Sequence, residues 1–186
     1  MNKLKEIGSN KKFIIGIGSQ RAGSTLLHRI LNECYTELFM HPVKELHYFD
    51  SYYKIRPREA LKIFSKRQLE ILERKNRNKI NLNKREQCEL RTNEILAEKK
   101  IEDIEYIDLY RPCLMHYRYF GEITPEYMLL NKKQIEFMKK KLNNNLYIIL
   151  MIRNPIKRFI SAFKLHQSYM RKKEEYQSPE KEILAS

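Results

Sequence analysis

The sequence predicts an α/β fold: a short, mostly parallel sheet with helices on both sides. Two stretches carry that prediction. Residues 13–31, FIIGIGSQRAGSTLLHRIL, read as an apolar strand, a tight glycine-bounded loop and a helix. Residues 146–163, LYIILMIRNPIKRFISAF, repeat the order with a longer apolar run, a proline-marked break and a second helical pattern. Strands that alternate with helices in this way pair in parallel.

In the first unit, Phe13, Ile14, Ile15 and Ile17 form a short β-branched run closed by glycine, which suits a buried strand. Small residues from Gly18 to Gly23 make the turn. Ser24 and Thr25 then open a segment with Leu26, Leu27, Ile30 and Leu31 at helical spacing. Such a loop points successive backbone N–H groups and a helix N-terminus at one spot, which favours an anion, phosphate above all. Against the nucleotide-binding pattern G-x-x-x-x-G-K-[ST], Gly18, Gly23 and Thr25 fit, but Ser24 occupies the lysine position. A cation appears inside the loop instead, at Arg21. Ordinary ATP or GTP hydrolysis is therefore disfavoured, and the three-layer sandwich of P-loop nucleotide kinases is the nearest architecture. A plain glycine turn before a core helix is the other reading of this stretch.

The first helix is expected to end between Glu33 and Thr36. In residues 42–50, PVKELHYFD, a short strand over Leu46, Tyr48 and Phe49 is expected, with Glu45, His47 and Asp50 at one rim. A strand turns alternate side chains to one face, so Glu45 and His47 can share proton-transfer work or simply satisfy each other. Residues 51 to about 100 are polar and lysine-rich. Ala60, Leu61, Ile63, Phe64, Leu69 and Leu72 suggest one amphipathic helix, and Leu90, Ile95 and Leu96 another. The basic stretch Arg74 to Lys84 reads as a solvated loop, and a helical insertion spans about 51–110. In residues 119–127, YFGEITPEY, Pro125 ends any helix and extends Thr124. Residues 131–142 read as a basic helix with Ile135, Phe137, Met138 and Leu142 inward. The run from Leu146 to Ile152 is the strongest buried-strand signal. Pro155 suits the first turn of the next helix, whose apolar face is Phe159, Ile160 and Phe163. An arginine, Arg153, is delivered at the strand tip where a P-loop ATPase carries a metal-binding acid, so no obligatory magnesium site is expected. The last helix is expected to reach about Glu175, with residues 177–186 frayed.

The 186 residues suit one domain, residues 1–186, and carry a net charge of +14. That charge admits nucleic acid but equally a polyanionic small molecule. Cys34, Cys88 and Cys113 form no C-x-x-C pair, which fits reduced thiols. Residues 1–12, MNKLKEIGSNKK, lack the apolar core of a signal peptide, and no run is long enough to span a bilayer, so a soluble cytoplasmic protein is expected.

Four segments together resemble a known family. The loop with Arg21 two residues before its second glycine, the stretch K-E-x-H-[FY]-F-D at Lys44 to Asp50, the stretch G-E-x-[ST]-P-x-Y at Gly121 to Tyr127, and an Arg with a Ser eight residues later at Arg153 and Ser161 are similar to those of PAPS-dependent sulfotransferases. The heparan sulfate and glycan type is nearest, over about residues 12–50 and 119–165. The resemblance implies 3′-phosphoadenosine 5′-phosphosulfate (PAPS) as donor, adenosine 3′,5′-bisphosphate (PAP) as product and no metal. It places Arg21, Ala22, Gly23, Ser24, Thr25 and Leu26 at the 5′-phosphate, and Arg153 and Ser161 at the 3′-phosphate. It makes Glu45 the base, supported by His47 and Asp50, with Lys44 and Arg21 neutralising charge. The implied acceptor is a small molecule or glycan, not a specific nucleic acid. Ile123 stands where several relatives carry a lysine, and the C-terminal part of the family fold is expected to be missing. A P-loop kinase or NTPase, a basic nucleic-acid-binding module and an inactive PAPS-binding remnant are the alternatives.

Overall fold

The structure, a computed structural model, describes residues 10–77 and 81–177. Strands β1 (Lys12–Gly18), β2 (Leu38–Met40), β3 (Tyr119–Ile123) and β4 (Leu146–Met151) form one all-parallel sheet in the order β2-β3-β1-β4. Helix α1 (Ser24–Cys34) links β1 to β2. Helices α2 (Tyr48–Tyr52), α3 (Arg58–Asn76) and α4 (Lys84–Glu98) lie between β2 and β3, α5 (Lys132–Lys141) precedes β4, and α6 (Pro155–Gln177) follows it. This is the P-loop-like α/β architecture that the sequence predicts. No helix among the described residues is long and apolar enough to cross a membrane.

Side chains alternate along the strands and so divide the core into two layers. Phe13 and Ile15 of β1, Phe39 of β2 and Phe120 of β3 face one side, packed with Tyr48, Phe49, Leu96, Tyr106 and Tyr110. Leu38, Met40, Ile123 and Met151 face the other, against Ala22, Leu27 and Leu31. The first layer is rich in rings. Phe13 meets Tyr106 and Tyr110 edge-to-face, and Tyr110 meets Phe120 likewise, with centroids 5.3 to 6.1 Å apart. That geometry adds to the gain from simple burial.

Several expectations need correction. Leu46, Tyr48 and Phe49 form no strand: Tyr48–Tyr52 is the short helix α2. His47 adopts a left-handed conformation (φ 50°) that ends any extended run, and the Leu46 N–H is taken by a side chain instead of a neighbouring strand. The strand of this region is β2, three residues too short for a periodic signal. The run at β4 is also less buried than its composition suggests, with Tyr147, Ile148 and Leu150 42–58% exposed. Among the described residues the strand is at the sheet edge, paired only with β1. Phe159, Ile160 and Phe163 likewise supply no inner face of α6; they are about half exposed or more. The stretch Arg74 to Lys84 is only partly a loop, because α3 continues to Asn76 and Asn83 starts α4 with a reciprocal cap on Glu86. Residues 78–80 of that stretch, and the expected frayed end from 178 onward, lie outside the described residues.

The close approach of β1 and β4 depends on Gly18. Its φ is +140°, and a Cβ there would collide with the Met151 carbonyl. Gly18→Ala is therefore expected to cost at least ~2 kcal/mol, read as a lowered midpoint in urea unfolding.

Candidate active site

Beyond Gly18 the chain turns sharply through Arg21 (φ 66°) and Gly23 (φ 103°), both left-handed. The Ala22 N–H closes the turn on the Ser19 carbonyl at 3.2 Å. Helix α1 starts at Ser24 without a side-chain cap among the described residues, so its first-turn N–H groups point at a place where a ligand can bind. A non-glycine residue held left-handed is uncommon, and such strain gathers at functional positions.

The tip of β4 reaches the same place. The Arg153 Nη1 donates to the Arg21 carbonyl at 2.9 Å, and the Arg21 Nε donates to the Ser161 Oγ at 3.1 Å. Asn154 orients the helix that carries Ser161: its side chain accepts from the Ile156 and Lys157 N–H groups at 3.0 and 3.2 Å. Arg21, Ser24, Thr25, Lys44, Arg153 and Ser161 thereby line one cleft of about 580 Å³. Gln20, Leu165 and Tyr169 line it too, and sequence reasoning passed them over. Leu165 and Tyr169 follow Ser161 at intervals of four, a helical spacing that could have flagged them.

The Lys44–His47 segment enters this cleft because the end of β3 holds it. The Ile123 N–H donates to the Lys44 carbonyl at 2.9 Å, and the Leu46 N–H to the Glu122 Oε2 at 2.9 Å. Glu122 is fully buried and also accepts from Tyr106 (2.7 Å), Thr124 (2.6 Å) and Tyr127 (3.0 Å). Burial leaves its carboxyl pKa raised, although these hydrogen bonds oppose the shift. Its place is structural. Ile123 is buried beneath α1 and offers the site nothing.

Glu45 lies between two cations. Lys44 Nζ is 2.6 Å from its Oε1, and His47 Nε2 is 3.5 Å from its Oε2. The other His47 nitrogen meets the buried Asp50 carboxylate at 2.7 Å. Glu45 and His47 thus meet through the left-handed turn at His47, not through strand alternation. Burial raises the Glu45 pKa, but hydrogen bonds from His47 and Lys44 prevail and hold it at about 2. Burial also disfavours charge on His47, yet bonds to Asp50 and Glu45 lift its pKa to about 9. At neutral pH the group is a carboxylate facing an imidazolium. Lys44 also donates to the Ser24 Oγ at 3.1 Å and the Thr25 Oγ1 at 3.4 Å. It therefore brings an ammonium to the residue that replaces the loop lysine.

Glu45, His47 and Glu126 offer ligand atoms within 4.8 Å of one another. A metal ion there would have to displace the His47 proton and its bonds to both carboxylates. The arrangement is built around a proton.

Replacing Glu122 with Leu would strand four donors in the core. Glu122→Leu is expected to lower stability by at least ~3 kcal/mol, measured by urea unfolding.

The model of the Sulfotransferase family matches residues 13–183. That span includes the helical middle of the chain, where the motifs have no counterpart. No curated protein and no solved structure matches the chain.

Proposed function

The chain belongs to the Sulfotransferase family, and on that premise we propose that it transfers a sulfuryl group from PAPS to a carbohydrate hydroxyl or amine, with Glu45 as base. The observation that carries this reading is the common cleft: Arg21, Ser24 and Thr25 from the first loop line it together with Arg153 and Ser161 from beyond β4.

The donor set fits a bisphosphorylated nucleotide. Backbone N–H groups of residues 21–26, with the Ser24 and Thr25 hydroxyls, would hold the 5′-phosphate. The Arg153 fork and the Ser161 hydroxyl would hold the 3′-phosphate, since guanidinium matches phosphate geometry. Bound there, PAPS supplies the sulfuryl group and leaves as PAP. Glu45 takes the acceptor proton, and His47, fixed by Asp50, keeps that carboxylate ionised and aimed. Lys44 and Arg21 offset negative charge on the donor side. Clamped by Lys44, Glu45 is a weak base. It gains basicity when the ammonium turns toward an anion held by the loop, which ties proton removal to donor binding.

PAP is expected to raise the melting temperature, whereas ATP with magnesium is not; the reverse result would favour a kinase or NTPase. With labelled PAPS and a carbohydrate mixture, Glu45→Gln is expected to lower turnover by roughly a hundredfold or more. Arg153→Ala is expected to weaken PAP binding about tenfold. Unchanged turnover and binding in both variants would remove the assignment.

The site charges also predict the pH profile. Glu45 is ionised above about pH 2 and His47 charged below about pH 9. Transfer should be level between about pH 5 and pH 8 and fall above about pH 9, where a neutral imidazole can donate to only one of its carboxylates. The stabilisation from charged His47 is fully present below its ordinary pKa of 6.5 and is lost as pH rises through about 9. In His47→Asn the alkaline fall should vanish from kcat/KM measured across this range.

A further inference from the structure

Glu45 stands between two clefts. The second, about 470 Å³, opens between the Pro42–His47 segment and α3 and shares Gln20, Lys44 and Glu45 with the phosphate-facing one. Arg56, Phe64, Gln68, Glu89 and Glu126 complete it. We propose that this second cleft is the acceptor site and that it takes an uncharged polyhydroxylated ring, one or two sugar units, in preference to a sulfated or carboxylated glycan. The inference rests on the sulfuryl-transfer reading above and specifies its acceptor.

Charge is the first argument. Lys44 and His47 are already engaged by Glu45 and Asp50. Among the described residues that leaves Arg56 as the cation lining this cleft, against the carboxylates of Glu89 and Glu126. An acidic chain entering here meets two like charges for one opposite, an unfavourable balance. The overall charge of +14 is therefore misleading about the acceptor: it does not reach this lining.

Hydrogen bonding is the second. Among the described residues, the Arg56 Nε and the Glu126 Oε2 are buried without a hydrogen-bond partner. Gln20 holds only the other oxygen of Glu126. One of these orphan atoms needs an acceptor and the other a donor. Buried polar atoms in native structures are normally satisfied, and a hydroxyl offers both functions. A ring bearing several hydroxyls can answer both residues at once, whereas a sulfate answers Arg56 alone.

Shape is the third. Phe64, a residue 42% exposed, lines the cleft from α3 beside Pro42 and Val43. An apolar wall with a few directed polar groups is the usual make-up of a small-molecule site, and the volume falls in the usual range. The C–H face of a sugar ring suits Phe64 while its hydroxyl edge meets Arg56, Gln68 and Glu126. A hydroxyl presented on the inner side can then give its proton to Glu45.

The test uses the full chain loaded with PAP, titrated with neutral disaccharides (cellobiose, lactose and N,N′-diacetylchitobiose) and with a sulfated heparin disaccharide, read by saturation-transfer NMR. At least one neutral disaccharide is expected to bind more tightly than the sulfated one. Arg56→Gln and Phe64→Ala should each weaken that binding by about tenfold while leaving the PAP-induced melting shift unchanged. Tighter binding of the sulfated disaccharide, no disaccharide binding at all, or neutral binding indifferent to both variants would overturn the acceptor inference and leave the donor reading intact. Failure of PAP to shift the melting temperature of the unmodified chain would remove the sulfuryl-transfer reading and this inference with it.

Discussion

The buried carboxylate of Glu122 couples the sheet to the chemistry. A carboxyl group sealed in a protein interior is tolerated only when polar partners surround it, and Glu122 has four: the Leu46 N–H and the hydroxyls of Tyr106, Thr124 and Tyr127. Those donors come from the end of β3, from the aromatic layer and from the Lys44–His47 segment. Tyr127 extends the set by accepting from the Tyr48 N–H at 2.9 Å, which fixes the start of α2. The segment bearing Glu45 is thus tied to the sheet without belonging to a strand. Loss of that tie would leave the segment bearing Glu45 to the Ile123 N–H bond with the Lys44 carbonyl.

A second constraint acts across the sheet. Gly18 lets β1 and β4 approach closely where both strands end, and the loop and Arg153 emerge side by side from that point. Ligands of open α/β sheets bind beyond the strand ends, and here the positively charged side chains gather there. Arg21 and Arg153 come from opposite ends of the chain, yet one guanidinium holds the other residue's carbonyl. Lys44 reaches Ser24 from a third direction. The loop lacks a lysine in its own sequence and acquires one in space.

The fold also leaves apolar surface uncovered. Tyr147, Ile148 and Leu150 of β4 and Phe159, Ile160 and Phe163 of α6 are all substantially exposed among the described residues. Strand propensity and helical periodicity specify these elements locally, but what covers their faces is a matter of tertiary neighbours. Ser161, Leu165 and Tyr169 show the contrast, since the face of α6 that they share lines the cleft.

Local physics made much of this protein legible in its sequence. The glycine-bounded turn, the helix after it, the apolar run ending in Arg153 and the proline that starts α6 depend on neighbours within a few residues, and all are visible in the chain. The Lys44–Asp50 motif was equally visible, but its conformation was not. The Leu46 N–H bonds to a carboxylate 76 positions away, which no window of sequence contains, and β2 was too short to announce itself. Arg56 and Glu126 carry no local signal either, and Phe64 reads in sequence as one more apolar position of a helix. They become neighbours of Glu45 only when α3 and the end of β3 close around it. The amino-acid order therefore determined which groups are available and what each can bond. Folding decided which of them meet, because burial and hydrogen-bond satisfaction are settled between residues far apart in the chain.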